Sequence, residues 1–314
     1  MKVTVPSLAK LNLDLRVLAK RSDGFHELRT IFQTISLGDR LTIDFDFAKR
    51  TQIDLSSSID IPDNLVVRSA KLLLEHLKMK AWVRFSLLKR IPMGAGLGGG
   101  SSNAASVLLA LPALAGKHVA MLELVRLAES LGSDVPFFLY GGTALGIGRG
   151  TELYPLPDLP PHPALVVATG VHVSTAEAYR TLGRDVTDAL TSQAESPILR
   201  EFQTSAWALA AHRLSRLRQD QIPLRNDFEE AVFGRHPELV RVARKLKRLG
   251  AKPALMTGSG SAIFGLFAAH SEAAAAASRF PLGTAFPVRF VTRRRYRQMW
   301  DRALNRGETT DVRP

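Results

Sequence analysis

Pro92-Met93-Gly94-Ala95-Gly96-Leu97-Gly98-Gly99-Gly100-Ser101-Ser102-Asn103-Ala104-Ala105 sets five glycines and two serines directly ahead of a helical run, Ala104 to Leu111. Without a Cβ, glycine lets backbone N–H groups come close to an anion, and it takes positive φ at little steric cost. The helix N-terminus behind the loop adds unpaired donors and a partial positive charge. Together these features predict a cradle for phosphate oxygens. No Gly-Lys-Ser/Thr closes the loop, so it is not a P-loop, and no acidic residue of the kind a dinucleotide fingerprint needs follows about 20 positions on. A flexible Gly/Ser linker would be polar on both sides, whereas this loop joins two apolar segments.

Outward from the loop, Trp82 to Leu88 reads as the strand that feeds it. Upstream, Asn64 is placed to cap a helix with the apolar stripe Val66, Ala70, Leu73, Leu74 and Leu77. Nearer the N-terminus, Leu11, Leu13, Leu15 and Val17 alternate with Lys10, Asn12, Asp14 and Arg16, the period of a half-buried strand. Leu41, Ile43, Phe45 and Phe47 repeat that period. Downstream, a helix over Leu122–Leu131 stops at Gly132, and Ser133-Asp134-Val135-Pro136-Phe137-Phe138 leads into a glycine-punctuated strand or loop at Gly141–Gly148. Pro155 to Pro163 carries five prolines in nine residues and predicts a boundary between domains at 1–157 and 158–314. The second half reads as a strand at Ala164–Ala168, a weakly patterned stretch at Thr181–Ser205 and an amphipathic helix at Pro237–Leu249. Strand, glycine turn and strand follow over Ala254–Phe267, then an alanine-rich helix at Ser271–Ser278 and a closing strand at Pro287–Val291. Sheets with helices in both halves, without strict βαβ alternation, predict an α+β fold.

The chain has 314 residues, 46% apolar and 23% charged, which suits a globular protein with a real core. It has no cysteine, which excludes disulfides, thiolate catalysis and cysteine zinc sites. No apolar run is long enough to span a bilayer, and Met1 to Pro6 lacks the apolar core of a signal peptide, so a cytoplasmic location without membrane attachment is expected. The net charge of +13 suits a nucleotide-rich ligand or a polyanion. Arg293-Arg294-Arg295-Tyr296-Arg297 is the densest basic cluster. No nucleic-acid-binding module accompanies it, so it reads as solvated surface and no nucleic-acid partner is expected.

Phosphoryl transfer to an alcohol needs a held donor, neutralised charge and a group that orients or deprotonates the hydroxyl. Asp134, next to an apolar run, is the candidate base, with a turn or capping aspartate as the alternative. Lys10 is a candidate cation or an ordinary solvated lysine. Phe25-His26, after the Asp23-Gly24 turn, offers a ring to stack on a nucleobase and a heterocycle to read it, or else forms an exposed hairpin tip. Thr257-Gly258-Ser259-Gly260-Ser261 either closes over phosphates or is a plain hairpin. The eight histidines show no metal-ligand spacing, so no built-in metal site is expected, and any Mg²⁺ arrives with the nucleotide.

These pieces, in this order, resemble the GHMP kinase superfamily. Pro6-Ser7-Leu8-Ala9-Lys10-Leu11-Asn12-Leu13 is similar to its first motif, Pro92–Ala105 to its second and Met256–Ser261 to its third. Lys20 to Leu28, Thr30-Ile31-Phe32-Gln33, Leu37-Gly38-Asp39, Gly132 to Phe138 and Val173-Ser174-Thr175-Ala176 are similar to the branch that acts on 4-diphosphocytidyl-2-C-methyl-D-erythritol. The resemblance spans residues 3 to about 267. It implies a two-domain enzyme with its active site in the cleft between domains. The implied reaction is ATP-dependent phosphorylation of the substrate's 2-hydroxyl, a step of non-mevalonate isoprenoid precursor synthesis. By motif position, Asp134 is implied as base and Lys10 as its cationic partner. Pro92, Met93, Gly94, Ala95, Gly96, Leu97, Gly98, Gly99, Gly100, Ser101 and Ser102 are implied around the ATP phosphates, with Asn64 near the adenine. His26 is implied to read the cytosine edge between Phe25 and Tyr179, with Asn12, Phe32 and Thr175 lining the rest. ATP as co-substrate, Mg²⁺ bound with it, a small molecule bearing cytidine diphosphate as partner, and a monomer or weak homodimer complete the expectation. Two departures stand out: position 25 is Phe where that branch usually has Tyr, and position 257 is Thr where Ser is more usual.

Overall fold

In the computed structural model, which describes residues 1–182, 195–210 and 223–307, the N-terminal alternation becomes strand β1 (Lys2–Lys20). The chain turns at Asp23-Gly24, where Gly24 has φ +82°, and returns as β2 (His26–Phe47) in an antiparallel pair. The half-buried expectation is corrected here. Leu11, Leu13 and Val17 are buried, and so are Lys10, Asn12, Asp14 and Arg16, with a bulge at Asn12/Asp14 turning the last two to the face opposite Lys10 and Asn12, so the alternation does not run through it. Both faces of β1 are covered, and its polar side chains satisfy one another instead of reaching water.

The first sheet continues through β3 (Gln52–Ser57), β4 (Ala81–Leu88), β5 (Thr143–Gly148) and β6 (Glu152–Pro155) in the order β3-β4-β2-β5-β6, with β1 on β2. β3 and β4 are parallel and are joined by α1 (Leu65–His76), while the other pairs are antiparallel. Asn64 caps α1 as predicted, its Oδ1 accepting from the Val66 N–H at 3.0 Å, an interaction worth about 1 kcal/mol. Val66, Ala70, Leu73 and Leu74 turn inward. α2 (Gly99–Leu114) begins earlier than the sequence suggested and runs through Pro112. Nearly every residue from Ser102 to Leu114 is buried, and that burial outweighs one missing backbone bond. α3 (Met121–Leu131) and the short α4 (Val135–Tyr140) complete this layer.

The proline-rich stretch leaves the first sheet at Pro155 and enters a second one at Pro163. This sheet contains β7 (Pro163–Val167), β8 (Ala254–Met256), β9 (Ile263–Leu266) and β10 (Ala285–Arg289), antiparallel in the order β10-β7-β9-β8. Around it lie α5 (Thr175–Leu182), α6 (Glu195–Ala210), α7 (Phe228–Phe233), α8 (Pro237–Arg248) and α9 (His270–Ala277). The weakly patterned stretch Thr181–Ser205 lies partly outside the described residues.

The arginine cluster is not merely solvated surface. It opens α10 (Arg293–Gly307), which returns to the first sheet. The Arg293 guanidinium donates to the carbonyls of Thr143 at 2.5 Å and Leu156 at 3.3 Å, while Arg294, Arg295 and Arg297 remain exposed. Tyr296 is buried, and its hydroxyl donates to the Phe138 carbonyl at 2.7 Å. Its ring fills the space beside Gly141, where a Cβ would lie 2.5 Å away. Thus α10 clamps the C-terminal end of α4, whose N-terminal neighbour is Asp134. Tyr296→Phe removes one donor and leaves a buried carbonyl unpaired. We expect it to lower unfolding free energy by about 1–3 kcal/mol, measured by denaturant titration.

Candidate active site

Two irregularities in the β1–β2 pairing bracket Lys10 and Asn12, between Leu8/Lys10 and between Asn12/Asp14. Such bulges release backbone groups from the ladder and re-aim side chains. The freed Lys10 N–H donates to the Leu97 carbonyl at 3.0 Å, and the Asn12 N–H donates to Thr257 Oγ1 at 3.0 Å. One short piece of β1 is therefore bonded to both glycine loops.

Lys10 Nζ donates to Asn12 Oδ1 at 2.7 Å and lies 3.2 Å from Asp134 Oδ2. Asn12 Nδ2 in turn donates to Thr30 Oγ1 at 2.8 Å. The Lys10 side chain is 3% exposed and that of Asp134 34%, so the ammonium is walled in and the carboxylate faces the cavity. The Phe32 ring, its centroid 5.5 Å from Nζ, packs against Phe137 and supplies an apolar wall. Asp134 stands at the N-cap position of α4, yet its side chain makes no capping bond. Its carboxylate is directed at Lys10.

In the loop before α2, Gly94, Gly96 and Gly98 have φ of +62°, +75° and +70°. Glycine at 96 is required twice over: a Cβ there would sit 2.2 Å from the Thr257 carbonyl oxygen. At position 98 a Cβ would meet the Phe138 ring at 2.8 Å and Lys10 Cγ at 3.2 Å. Gly94, Gly96, Gly98 and Ser101 line the cavity, and Gly99 and Gly100 open α2. Ala95 and Leu97 point into the core, so they offer backbone only, while Met93 is exposed and Pro92 half-buried. Ser102 Oγ and Asn64 Nδ2 are buried without a protein partner. They lie where the N-termini of α2 and α1 converge, Leu65 packing 3.5 Å from the Cβ position of Gly100. The loop entry is fixed by Asp39, which accepts from the Arg90 and Ile91 N–H groups at 2.7 and 2.9 Å, from Asn103 Nδ2 at 3.0 Å and from Lys89.

A cavity of about 1040 Å³ joins this loop to the Phe25-His26 turn. Its lining includes the cations Lys10, Lys20, Arg149 and Arg180, with Asp134 as the single carboxylate among the described residues. Thr175 Oγ1 and Ser259 Oγ meet at 2.8 Å on its rim. Phe25 and Tyr179 do not form two open faces of one slot. The ring parallel to Tyr179 is that of His26, at 4.5 Å and 18°, and the Phe25 ring is covered by the Arg149 guanidinium at 3.5 Å. Burial and then Lys20 push His26 below its ordinary pKa, which favours a neutral imidazole with one donor and one acceptor. Burial, with Asp134 adding to it, pushes Tyr179 up to about 12.

Sequence reasoning missed Arg149, Arg180 and His172, all in the cavity lining. The signal for Arg149 was present: it sits between Gly148 and Gly150, both at positive φ, in a tight turn that projects its side chain. It also missed Asn226 and Glu229, which hold the Met256–Gly258 backbone from behind. Among the described residues, no group of three or more His, Asp or Glu could hold a metal, and no helix is long and apolar enough to cross a membrane.

Two family models match the chain, GHMP kinases N terminal domain over residues 64–142 and GHMP kinases C terminal over residues 199–282. A 4-diphosphocytidyl-2-C-methyl-D-erythritol kinase of Solibacter usitatus is 49% identical over 308 residues, covering 98% of this chain and 95% of the relative. The chain belongs to this kinase family. The enzyme of the same name from Moorella thermoacetica is 40% identical and covers 93% of this chain and 98% of its own. A crystal structure of 4-(cytidine 5'-diphospho)-2C-methyl-D-erythritol kinase matches with TM-score 0.75 and 38% identity, over 92% of this chain and 99% of that one. Homoserine kinase from Cytophaga hutchinsonii shares the fold, with TM-score 0.67 at 19% identity over 93% of this chain and 95% of its own. The α+β, two-domain GHMP kinase architecture expected from the motifs is what the chain has.

Glu229 supplies a pH-dependent signal. Burial pushes its carboxyl from 4.5 up to about 7, opposed by the Met256 N–H and Lys247. The folded state then holds a proton that the unfolded chain has lost. The stability this group contributes is complete below about 4.5 and is lost as pH rises through about 7. Glu229→Gln keeps an acceptor for the Met256 N–H but cannot ionise. We expect it to remove this part of the decline in Tm between pH 4.5 and 7, measured by thermal unfolding across that window.

Proposed function

We propose that this protein transfers the terminal phosphoryl group of ATP to the 2-hydroxyl of 4-diphosphocytidyl-2-C-methyl-D-erythritol, giving ADP and the 2-phosphate. One observation carries the reading: the Asp134–Lys10 pair stands in a single cavity between a glycine cradle and a cation-rich far end. A donor bound at the cradle and an acceptor bound at the far end would meet at that pair. The names of the relatives, which share nearly the full length of the chain, supply the substrate.

In this scheme Asp134 accepts the hydroxyl proton, and Lys10 polarises the oxygen and stabilises the developing alkoxide. Lys10 reaches the reacting centre already bonded to Asn12 and Asp134, so little reorganisation is needed. The N–H groups of the 94–102 loop and the N-terminus of α2 hold the phosphates, and Ser102 Oγ and Asn64 Nδ2 are buried polar atoms suited to such a ligand. Mg²⁺ bound with ATP would neutralise charge on the β- and γ-phosphates; Ser101 and Ser102, at the start of α2, are hydroxyls that could serve it. Lys20, Arg149 and Arg180 offer charge to the diphosphate of the acceptor, and a neutral His26 can read the cytosine edge through both ring nitrogens. Phe32, Thr175 and Asn12 line the path between. The residues come from both the 1–157 and 158–314 halves, which suits a site in the cleft between domains. A cytoplasmic enzyme, monomeric or weakly dimeric and with no nucleic-acid partner, completes the proposal.

Asp134→Ala is expected to lower kcat by about 10²–10⁴ while leaving ADP affinity and fold intact. Near-normal turnover by that variant would overturn the role of Asp134. Offered the cytidylated alcohol, mevalonate and homoserine side by side with ATP and Mg²⁺, the protein should phosphorylate the first. Preference for either of the others in a coupled ADP-release assay would overturn the substrate assignment.

A further inference from the structure

The turn at Thr257–Gly260 is held by a side chain that the scheme above does not use. Asn226 is buried, and its Nδ2 donates both hydrogens, to the Met256 carbonyl at 2.8 Å and to the Gly258 carbonyl at 2.7 Å. Its Oδ1 accepts from the Phe228 N–H at 3.0 Å, so three of the amide's four bonding positions are used. The backbone around Asn226 is itself bonded to β1: Leu15 N–H donates to the Arg225 carbonyl at 2.9 Å, and Asp227 N–H donates to the Leu15 carbonyl at 3.0 Å. A second brace comes from Glu229, whose Oε1 accepts from the Met256 N–H at 2.7 Å.

Peptide geometry turns this brace into an orienting device. Across a trans peptide, the carbonyl of one residue and the N–H of the next point in opposite directions. With the Gly258 carbonyl drawn to Asn226, the Ser259 N–H is driven the other way. Ser259 lines the cavity, and its N–H makes no hydrogen bond among the described residues. The turn also touches the phosphate loop, since the Cβ position of Gly258 lies 3.2 Å from Gly96 Cα. An anion cradled at Gly94–Gly98 is therefore within the reach of that turn.

We propose that Asn226 is a positioning residue for phosphoryl transfer: by pinning the Met256 and Gly258 carbonyls it fixes the Ser259 N–H as a donor to an oxygen of the nucleotide's terminal phosphates. This rests on the kinase reading above and adds a donor and its support to it. Asn226→Asp is nearly isosteric and keeps the acceptor for the Phe228 N–H, but it replaces the two-hydrogen donor Nδ2 with a single oxygen that repels both carbonyls. Removing one preorganised donor from such a site lowers kcat by about a hundredfold or more. The expected result is a folded variant with ADP affinity and KM for ATP close to wild type and kcat reduced by about that factor. Wild-type kcat in the folded variant, or equal loss of ADP affinity and turnover, would overturn the proposal. Hydrogen exchange on the wild-type protein tests it even if the variant fails to fold. A non-hydrolysable ATP analogue with Mg²⁺ should slow exchange at the Ser259 amide, and unchanged exchange there would sink the idea. That measurement needs no acceptor, so failure of the cytidylated alcohol to react would count against the substrate assignment and not against the brace.

Discussion

Lys10 carries an ammonium whose side chain is only 3% exposed, held 2.7 Å from Asn12 Oδ1 and 3.2 Å from Asp134. A buried charge left without partners costs several kcal/mol, so the surroundings of this one are tightly constrained. The carboxylate must stay close, which fixes the start of α4. The Asn12 amide must keep its oxygen toward Nζ, which Thr30 enforces by accepting from the amide nitrogen. The stem of Lys10 needs room, which only glycine at position 98 leaves. Each requirement that keeps the ammonium stable also holds a piece of the reaction centre in place.

Beyond the bulge at Asn12/Asp14, β1 carries a second polar group on its other face. Arg16 is fully buried and forks onto both oxygens of Asp14, at 2.6 and 3.2 Å, with a further bond to the Pro223 carbonyl at 2.7 Å. Another nitrogen of Arg16 reaches Glu201 on α6 at 3.0 Å. Burial pushes Asp14 up to about 6 even against the pull of Arg16. Here charged groups are used to attach a helix to a strand, and the attachment is specific because any slip would leave a guanidinium unpaired.

This strand also shows what could be read from residues alone. The period-two alternation put Lys10 and Asn12 on one face, because strand geometry is local, but it carried the same reading on to Asp14 and Arg16, which the bulge at Asn12/Asp14 turns to the other face. Nor could it say what covers either face, because α6, the 223–227 segment and the Thr257 turn arrive from distant parts of the chain. The glycine loop and the Asn64 cap were legible for the same local reason: their glycines, caps and helix start lie within a few residues of one another. Arg149 on Phe25, His26 on Tyr179 and Asn226 on two carbonyls are products of packing between remote segments, with no periodic trace. The C-terminal helix was misread in the opposite sense. Its arginines suggested solvent, while Tyr296 and Arg293, interleaved with them, carry the contacts.

β1 has a last consequence, for how the chain can be divided. Val3, Val5 and Leu8 belong to one hydrophobic cluster, Ala9, Leu11 and Leu13 to a second, and Leu15 and Val17 to a third. The second and third clusters are otherwise built largely from residues beyond Pro155. Cutting the chain at its proline-rich stretch would therefore strip a wall from the later half and expose apolar residues of β1 in the earlier one. The sequence has two halves, but one strand is packed into the hydrophobic clusters of both, so neither half has a complete core of its own.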